Sequence, residues 1–336
     1  MNDLQKFFPN NQLGDLADDL VNVNSWDDFE RRFLYGTGKA KGTYATYMIA
    51  CKAFHQFTKG EHPMAGGTVA NVEAFYDGLI DKGLSLKTIR LRMAGLKYMF
   101  SRVQDRFPFW DSPFDKMTEV VKAKLNRSER DTSEKDALTA KEYRSLLAML
   151  RKDDSLKGKQ NYALVRFLVV SGLRAFEACS IRWKQINETD QGYRITVCGK
   201  GHKTATITLE DRESILALRR AFRARWDRTP KGEDLVLHSL PTGTSGTKEG
   251  ITTSTLYTRS KAIINAGQEA GIIRANLSFS THGFRHTCAT LLIEAGIDVH
   301  SVQTHMRHSN LDTTATYLHT TADKSGAFAA IHGEAA

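Results

Sequence analysis

From Thr43 to Gly60 apolar residues return every three or four positions, as Tyr44, Tyr47, Met48, Cys51, Phe54 and Phe57. That period predicts an amphipathic helix with one buried stripe. Val69 to Lys82 repeats it with Val72, Phe75, Tyr76, Leu79 and Ile80, and Gly83 stands where a helix commonly ends. Over Ser85 to Val103 the stripe is Ile89, Met93, Leu96, Met99 and Phe100, while Lys87, Arg90, Arg92, Lys97 and Arg102 occupy the other faces. Together these predict a small all-α domain with one basic side. Residues 1–40 carry no sustained pattern beyond a short acidic helix expected over Ser25 to Phe33, with Ser25 as N-cap and Asp28 at or near the capping-box position.

Residues Lys122 to Lys135 are almost wholly polar and cannot bury enough surface to pack, which predicts a linker. Thr139 and Glu142 then have the spacing of a capping box that opens a new helix. The expected organisation is an acidic leader at 1–40, a helical domain at 41–121, a linker at 122–137 and a second domain at 138–336 with a tail at 322–336. Within the second domain Asn161 to Ser180 reads as helix. Tyr193–Cys198 and Thr204–Leu209 alternate β-branched and polar residues around Gly199-Lys-Gly-His-Lys203, a hairpin pattern. Leu235-Val-Leu237 reads as a further short strand, and 241–250 as a loop. Helices are expected at Thr252–Gly267, Thr281–Ala295, Val299–His305 and Asp312–His319. The fold class is mainly α with a small antiparallel sheet.

Composition narrows the partner. The 336 residues carry a net charge of +9, and residues 1–40 hold seven acids against four bases, so the remainder carries +12. A surplus of that size points to a polyanion such as nucleic acid. Cys51, Cys179, Cys198 and Cys288 are scattered with no CxxC pair, which argues against a disulfide framework or zinc site and fits a reducing cytosol. No signal peptide is expected at the start. The best apolar run, Ala163 to Gly172, is short and broken by Arg166, so no membrane span is expected.

The candidate chemistry lies in the second half. Arg174 follows Ser171-Gly-Leu at a helix-breaking glycine, where its guanidinium can offer a fork to a phosphate or pair with Glu177. His282 and Arg285 share a face near a helix start, where backbone N–H groups also favour an anion. His286 lies four residues after His282, yet no carboxylate sits between them, so a zinc-protease helix is a poor match. His308 precedes Ser309-Asn-Leu-Asp312, a turn that can cap the helix carrying Tyr317.

Arg174 with Glu177, Lys200 in the hairpin turn, His282-x-x-Arg285-His286, His308 and Tyr317 nine residues later resemble, in order and spacing, the tyrosine recombinase or phage integrase family. The resemblance covers the second domain and extends more loosely over 43–125. It implies a helical, SAM-like core-binding domain and a catalytic domain that clamp DNA between them, as in the two-domain Xer or Cre type. It implies Tyr317 as nucleophile on a DNA phosphodiester, giving a 3′-phosphotyrosyl link. Arg174, Arg285 and His308 would hold the non-bridging oxygens, Lys200 would protonate the departing 5′-oxygen, and His282 would accept the phenol proton. Lys203 is the less favoured substitute for Lys200. Glu177 and His286 would orient these groups.

The resemblance further implies no cofactor, neither metal nor ATP. It implies double-stranded DNA sites as partner, a monomer in solution and a homotetramer on two paired sites through exchange of the tail. Accessory DNA-bending proteins and a cytoplasmic, nucleoid-associated location in a bacterial or phage-infected cell also follow from it. Lys87, Arg90 and Lys97, with Arg259 and Lys261 in the second domain, are DNA-contact candidates from charge position. The chain departs from the family pattern at Met306-Arg307-His308, where members usually have Leu-Gly-His. The competing readings are a type IB topoisomerase or telomere resolvase, a catalytically silent DNA-binding protein, and a metal-dependent nuclease using His282 and His286.

Overall fold

The computed structural model describes residues 25–35, 38–108, 110–116, 137–199, 204–240 and 250–307. The chain divides into two units, Met1–Thr132 and Ser133–Ala336, each with its own core.

Among the described residues the regular elements of the first unit are all helices. Ser25 caps helix α1 (Trp26–Phe29), its Oγ accepting the Asp28 N–H at 3.2 Å, and the chain runs on through a π turn, Glu30–Leu34. Glu30 fixes that turn by accepting Trp26 Nε1–H and the Tyr44 hydroxyl, each at 2.9 Å. Helices α2 (Lys41–Phe57), α3 (Pro63–Gly66), α4 (Val69–Asp81) and α5 (Leu86–Arg106) follow. Their stripes meet in a core built on Phe29, Phe54, Phe75, Leu96, Phe100 and Val103. Phe54 meets the Phe75 and Phe100 rings edge-on, with centroids 5.4 and 5.6 Å apart. Burial of each such ring is worth about 2 kcal/mol, which accounts for the fidelity of the stripe to the sequence period.

In the second unit the capping box forms. The Thr139 N–H donates to Glu142 Oε2 at 2.9 Å and the Glu142 N–H donates back to Thr139 Oγ1 at 3.2 Å, opening α6 (Ala140–Arg151). Helix α7 (Leu156–Ser171) is buried along almost its whole surface and packs against α6. The expected single helix over 161–180 is in fact two. Gly172 ends α7 in the left-handed conformation, and α8 (Ala175–Ser180) starts afresh after Arg174.

Strands β1 (Ile186–Thr189), β2 (Gly192–Cys198) and β3 (Thr204–Leu209) form an antiparallel sheet in that order. Ile195 faces Ile207 and Tyr193 faces Leu209 across β2 and β3, and all four are buried. Cross-strand apolar pairs of this kind set the register. Strand β1 does not stand out in the sequence, because Ile-Asn-Glu-Thr is too short and polar. Leu235–Leu237 forms no strand: one bridge joins Leu235 to Arg182, and the Val236 N–H donates to Ile181 O at 2.9 Å.

Helix α9 (Arg212–Trp226) is likewise masked in the sequence. Its buried residues Ile215, Leu218, Ala221 and Phe222 form a narrow stripe diluted by five arginines. Arg166, the charge inside the apolar run of α7, is answered there by a bidentate pair with Asp211 at 2.8 and 2.7 Å. Helices α10 (Thr253–Glu269), α11 (Thr281–Glu294) and α12 (Val299–Met306) complete the described part. The helix expected at Asp312–His319 and the tail at 322–336 lie outside the described residues. Among the described residues no helix is long and apolar enough to cross a membrane.

Candidate active site

Gly172 creates the site. Its φ of 55° suits glycine, and a Cβ built there would lie 2.7 Å from Met306 Sδ and 3.1 Å from Cys288 Sγ. The chain therefore ends α7 tightly against α11 and α12, then turns so that Arg174 becomes the N-cap residue of α8. Glu177, three residues on and 1% exposed, reaches back to Arg174 with both oxygens. Its Oε2 accepts the Arg174 N–H at 2.8 Å, and its Oε1 accepts Arg174 Nη1–H at 3.0 Å. The remaining fork atom, Arg174 Nη2, donates to the Arg307 carbonyl at 3.1 Å.

Arg285 comes from the second turn of α11 and is 2% exposed. Its Nη1 donates to Gly172 O and its Nη2 to Met306 O. The last carbonyls of a helix have no partner within it and carry the negative end of its dipole. Guanidinium groups satisfy both needs at the end of α12. Arg307 itself closes α12 with φ 53° and ψ 45°, and its Nη2 donates to Glu177 Oε2 at 2.9 Å.

Three guanidinium charges (Arg174, Arg285, Arg307) against one carboxylate (Glu177) leave a surplus of two positive charges, 3 − 1. Burial first, then the Arg174 and Arg307 charges, lower the Arg285 pKa to about 10, so it stays protonated at neutral pH. Burial pushes the Glu177 carboxyl up, but the Arg174 N–H, the Arg307 charge and the Arg174 side chain together hold it below its ordinary value. A half-buried cationic cluster with Arg174 at its partly open edge can accept an anion in a medium where charge interactions are strong.

His282 is exposed on the first turn of α11, its N–H donating to Ser280 Oγ at 3.2 Å, and its ring meets that of half-buried His286 edge-on at 4.6 Å. His305 is a site residue that the sequence does not single out. Its Nε2 lies 3.1 Å from Val170 O, which can only accept, so Nε2 carries the proton and the ring ties α12 to α7. Burial lowers the His305 pKa and keeps it neutral. The signal for it is weak, a histidine at helical spacing from buried Val302. Lys200, Lys203, His308 and Tyr317 lie outside the described residues. The register pairs Cys198 with Thr204, Lys200 lies between these two in sequence, and His308 directly follows Arg307 in sequence.

The basic candidates fall into two groups. Lys87, Arg90 and Lys97 project from α5 at positions 87, 90 and 97, one face of that helix, with Lys87 and Lys97 exposed. Lys261 is exposed on α10 over the Tyr257 ring, 5.4 Å from its centroid. Arg259 is different: its Nε donates to Asn161 Oδ1 at 2.7 Å, and burial lowers its pKa to about 10. That guanidinium is engaged inside the unit through Nε, while its Nη2 is buried without a hydrogen-bond partner among the described residues. Among the described residues no three His, Cys, Asp or Glu side chains are grouped to hold a metal ion.

Residues 136–324 match the phage integrase family, and residues 28–107 match the N-terminal SAM-like domain of phage integrases. Tyrosine recombinase XerA of Pyrococcus furiosus is 26% identical over 285 residues, 85% of this chain and 86% of that protein. Tyrosine recombinase XerC of Anoxybacillus flavithermus is 26% identical over 292 residues, 83% and 89% of the two chains. Among solved structures, the XerH site-specific recombinase bound to palindromic difH substrate, a post-cleavage complex, superposes with a TM-score of 0.68 at 21% identity, covering 94% of this chain and 89% of that one. The Tn1549 transposon integrase in complex with transposon right-end DNA gives 0.63 at 18% identity, covering 88% and 94%. At these identities the likeness to the solved structures is one of fold.

Proposed function

Because the chain belongs to the phage integrase family, we propose that it is a site-specific DNA recombinase that breaks and rejoins strands through Tyr317. The Tyr317 oxygen attacks the scissile phosphorus, the bond to the 5′-oxygen breaks, and a 3′-phosphotyrosyl link conserves the bond energy for religation. The phenol proton passes to His282, and the departing 5′-oxygen takes a proton from Lys200. A phenol with a pKa of about 10 needs both a proton acceptor and strong stabilisation of the charge that builds on phosphorus. Arg174 and Arg285, with His308, supply that stabilisation, and Glu177 orients Arg174.

The observation that carries the reading is the convergence of Arg174 and Arg285 on the end of α12, one residue before His308. It provides a preorganised cationic seat whose residues come from three separate stretches of chain. The chain acts without metal or ATP, as a tetramer on two paired duplex sites assembled by exchange of residues 322–336. Its basic residues beyond position 40 hold the DNA backbone, so affinity falls steeply with salt. Action in the cytoplasm of a bacterial or phage-infected cell completes the proposal.

The test is covalent trapping. Wild-type and Tyr317→Phe proteins are incubated without metal with a nicked suicide version of a site selected from a DNA library, then resolved on a denaturing gel. A shifted band for wild type alone is expected. Binding with no adduct in either protein would make the chain a silent DNA binder, and an adduct in both would assign the nucleophile to another residue.

A further inference from the structure

Arg307 touches Arg174 by two routes. Its carbonyl accepts Arg174 Nη2–H at 3.1 Å, and its own Nη2 donates at 2.9 Å to the Glu177 oxygen that also accepts the Arg174 N–H. Its Nη1 is tied to His305 O at 3.2 Å, and its side chain is only 12% exposed. The residue holds φ 53°, a conformation disfavoured for any side chain with a Cβ, so these bonds are made against a local preference. A long cationic side chain pulled inward at a left-handed helix end is not a solvated surface arginine.

We propose that Arg307 is a positioning residue that holds the Arg174 guanidinium in place through its carbonyl and, by offsetting Glu177, keeps the positive charge of Arg174 available to phosphate. The inference rests on the reading of the cluster as the phosphate seat. Glu177 is almost fully buried and ionised, and its Oε1 already pairs with Arg174 Nη1 at 3.0 Å, so without a second cation it would cancel the Arg174 charge that the reaction uses. Arg307 takes up Glu177 Oε2 and leaves only Oε1 facing the Arg174 side chain. With Arg307 the described cluster carries two surplus positive charges, and without it only one, 2 − 1. A phosphodiester carries one negative charge and its pentavalent transition state carries two, so the second surplus charge favours the transition state over the bound substrate.

The experiment compares wild type, Arg307→Gly, Arg307→Lys and Arg307→Gly combined with Glu177→Gln. Glycine accepts the left-handed position without strain, so the backbone at the end of α12 survives the change. The expected result for Arg307→Gly is a rate of adduct formation on the suicide site lowered roughly 10- to 100-fold, with DNA affinity at fixed salt within about threefold of wild type. Arg307→Lys falls between. Adding Glu177→Gln to Arg307→Gly recovers about tenfold, since a neutral amide no longer cancels the Arg174 charge. Wild-type cleavage rate in Arg307→Gly, or a further loss in the double variant, overturns the proposal. Inorganic phosphate binding, followed by thermal shift, is the readout that needs no cleavage. It is expected to weaken in Arg307→Gly and return in the double variant, and unchanged affinity overturns the proposal even where wild type forms no adduct and the recombinase reading itself has failed.

Discussion

Arg174 and Arg285 take their backbone acceptors from adjacent residues, Arg307 and Met306, at the C-terminus of α12. The helix end thus does two jobs. Its unpaired carbonyls gain donors, and two guanidinium groups that repel each other are held side by side.

Arg285→Ala would leave Gly172 O and Met306 O without that donor in a buried setting. An unsatisfied buried acceptor costs about 1–3 kcal/mol. The thermal transition of the second unit is expected to fall by several degrees in calorimetry of the full chain. Arg285→Lys, with one ammonium in place of a fork, is expected to recover only part of that loss.

Gly172→Ala separates a backbone cost from a packing cost. Gly271 has a φ of 66° with open space around a built Cβ, whereas Gly172 at 55° faces Met306 Sδ at 2.7 Å. Gly271→Ala is expected to cost about 1–2 kcal/mol for the left-handed backbone alone. Gly172→Ala adds overpacking and is expected to cost roughly 2–4 kcal/mol in denaturant titration. Equal losses at the two positions would contradict the packing argument.

The first unit carries an acid-sensitive histidine. His62 Nδ1 accepts the Met64 N–H at 3.2 Å, and its Nε2 is buried without a partner. Burial first, and His55 second, push its pKa down to about 4. A histidine whose folded pKa is depressed binds its proton more readily when unfolded, so stability falls as pH drops from about 6.5 toward 4. The slope contributed approaches about 1.4 kcal/mol per pH unit. His62→Asn keeps a cap acceptor without titrating and is expected to flatten that part of the stability profile. An unchanged profile would place the sensitivity elsewhere.

Glu142 gives the second unit a group that also loses stability in acid, here because partners hold it ionised. Burial raises its pKa, but the Arg274 and Thr139 N–H groups and the Arg274 charge overcome that and leave it below the ordinary value. Its stabilising contribution is present above the unfolded pKa of about 4.3 and disappears as pH falls through the lower folded value. Glu142→Gln is expected to be less stable than wild type by about 1–3 kcal/mol at pH 7, with the gap closing in acid. A gap that persists in acid would mean packing, not charge.

Substituting Lys87, Arg90 and Lys97 by glutamine tests the basic face of α5. The slope of log affinity for the target duplex against log salt is expected to shrink by roughly 0.9 for each phosphate that is no longer neutralised. Arg259→Gln is expected to lower thermal stability and leave that slope nearly unchanged, because its guanidinium is largely buried and its Nε is bonded to Asn161.

Legible in the amino-acid order alone are the helices whose stripes are unambiguous, the Thr139–Glu142 box, the β2–β3 hairpin and the order of the reactive groups. These are local: a period of 3.6 or 2 records which residues face a core, and a cap joins residues three apart. The rest depends on contacts between distant segments. Helix α9 hides behind its arginines, since five charges mask a four-residue stripe until the neighbours that cover it are known. Arg259 reads as a surface cation until Asn161 arrives from α7 to claim it. The meeting of Arg174, Arg285 and Arg307 depends on where α12 ends relative to Gly172 and Glu177, and no local pattern encodes which carbonyls of a distant helix are left unpaired.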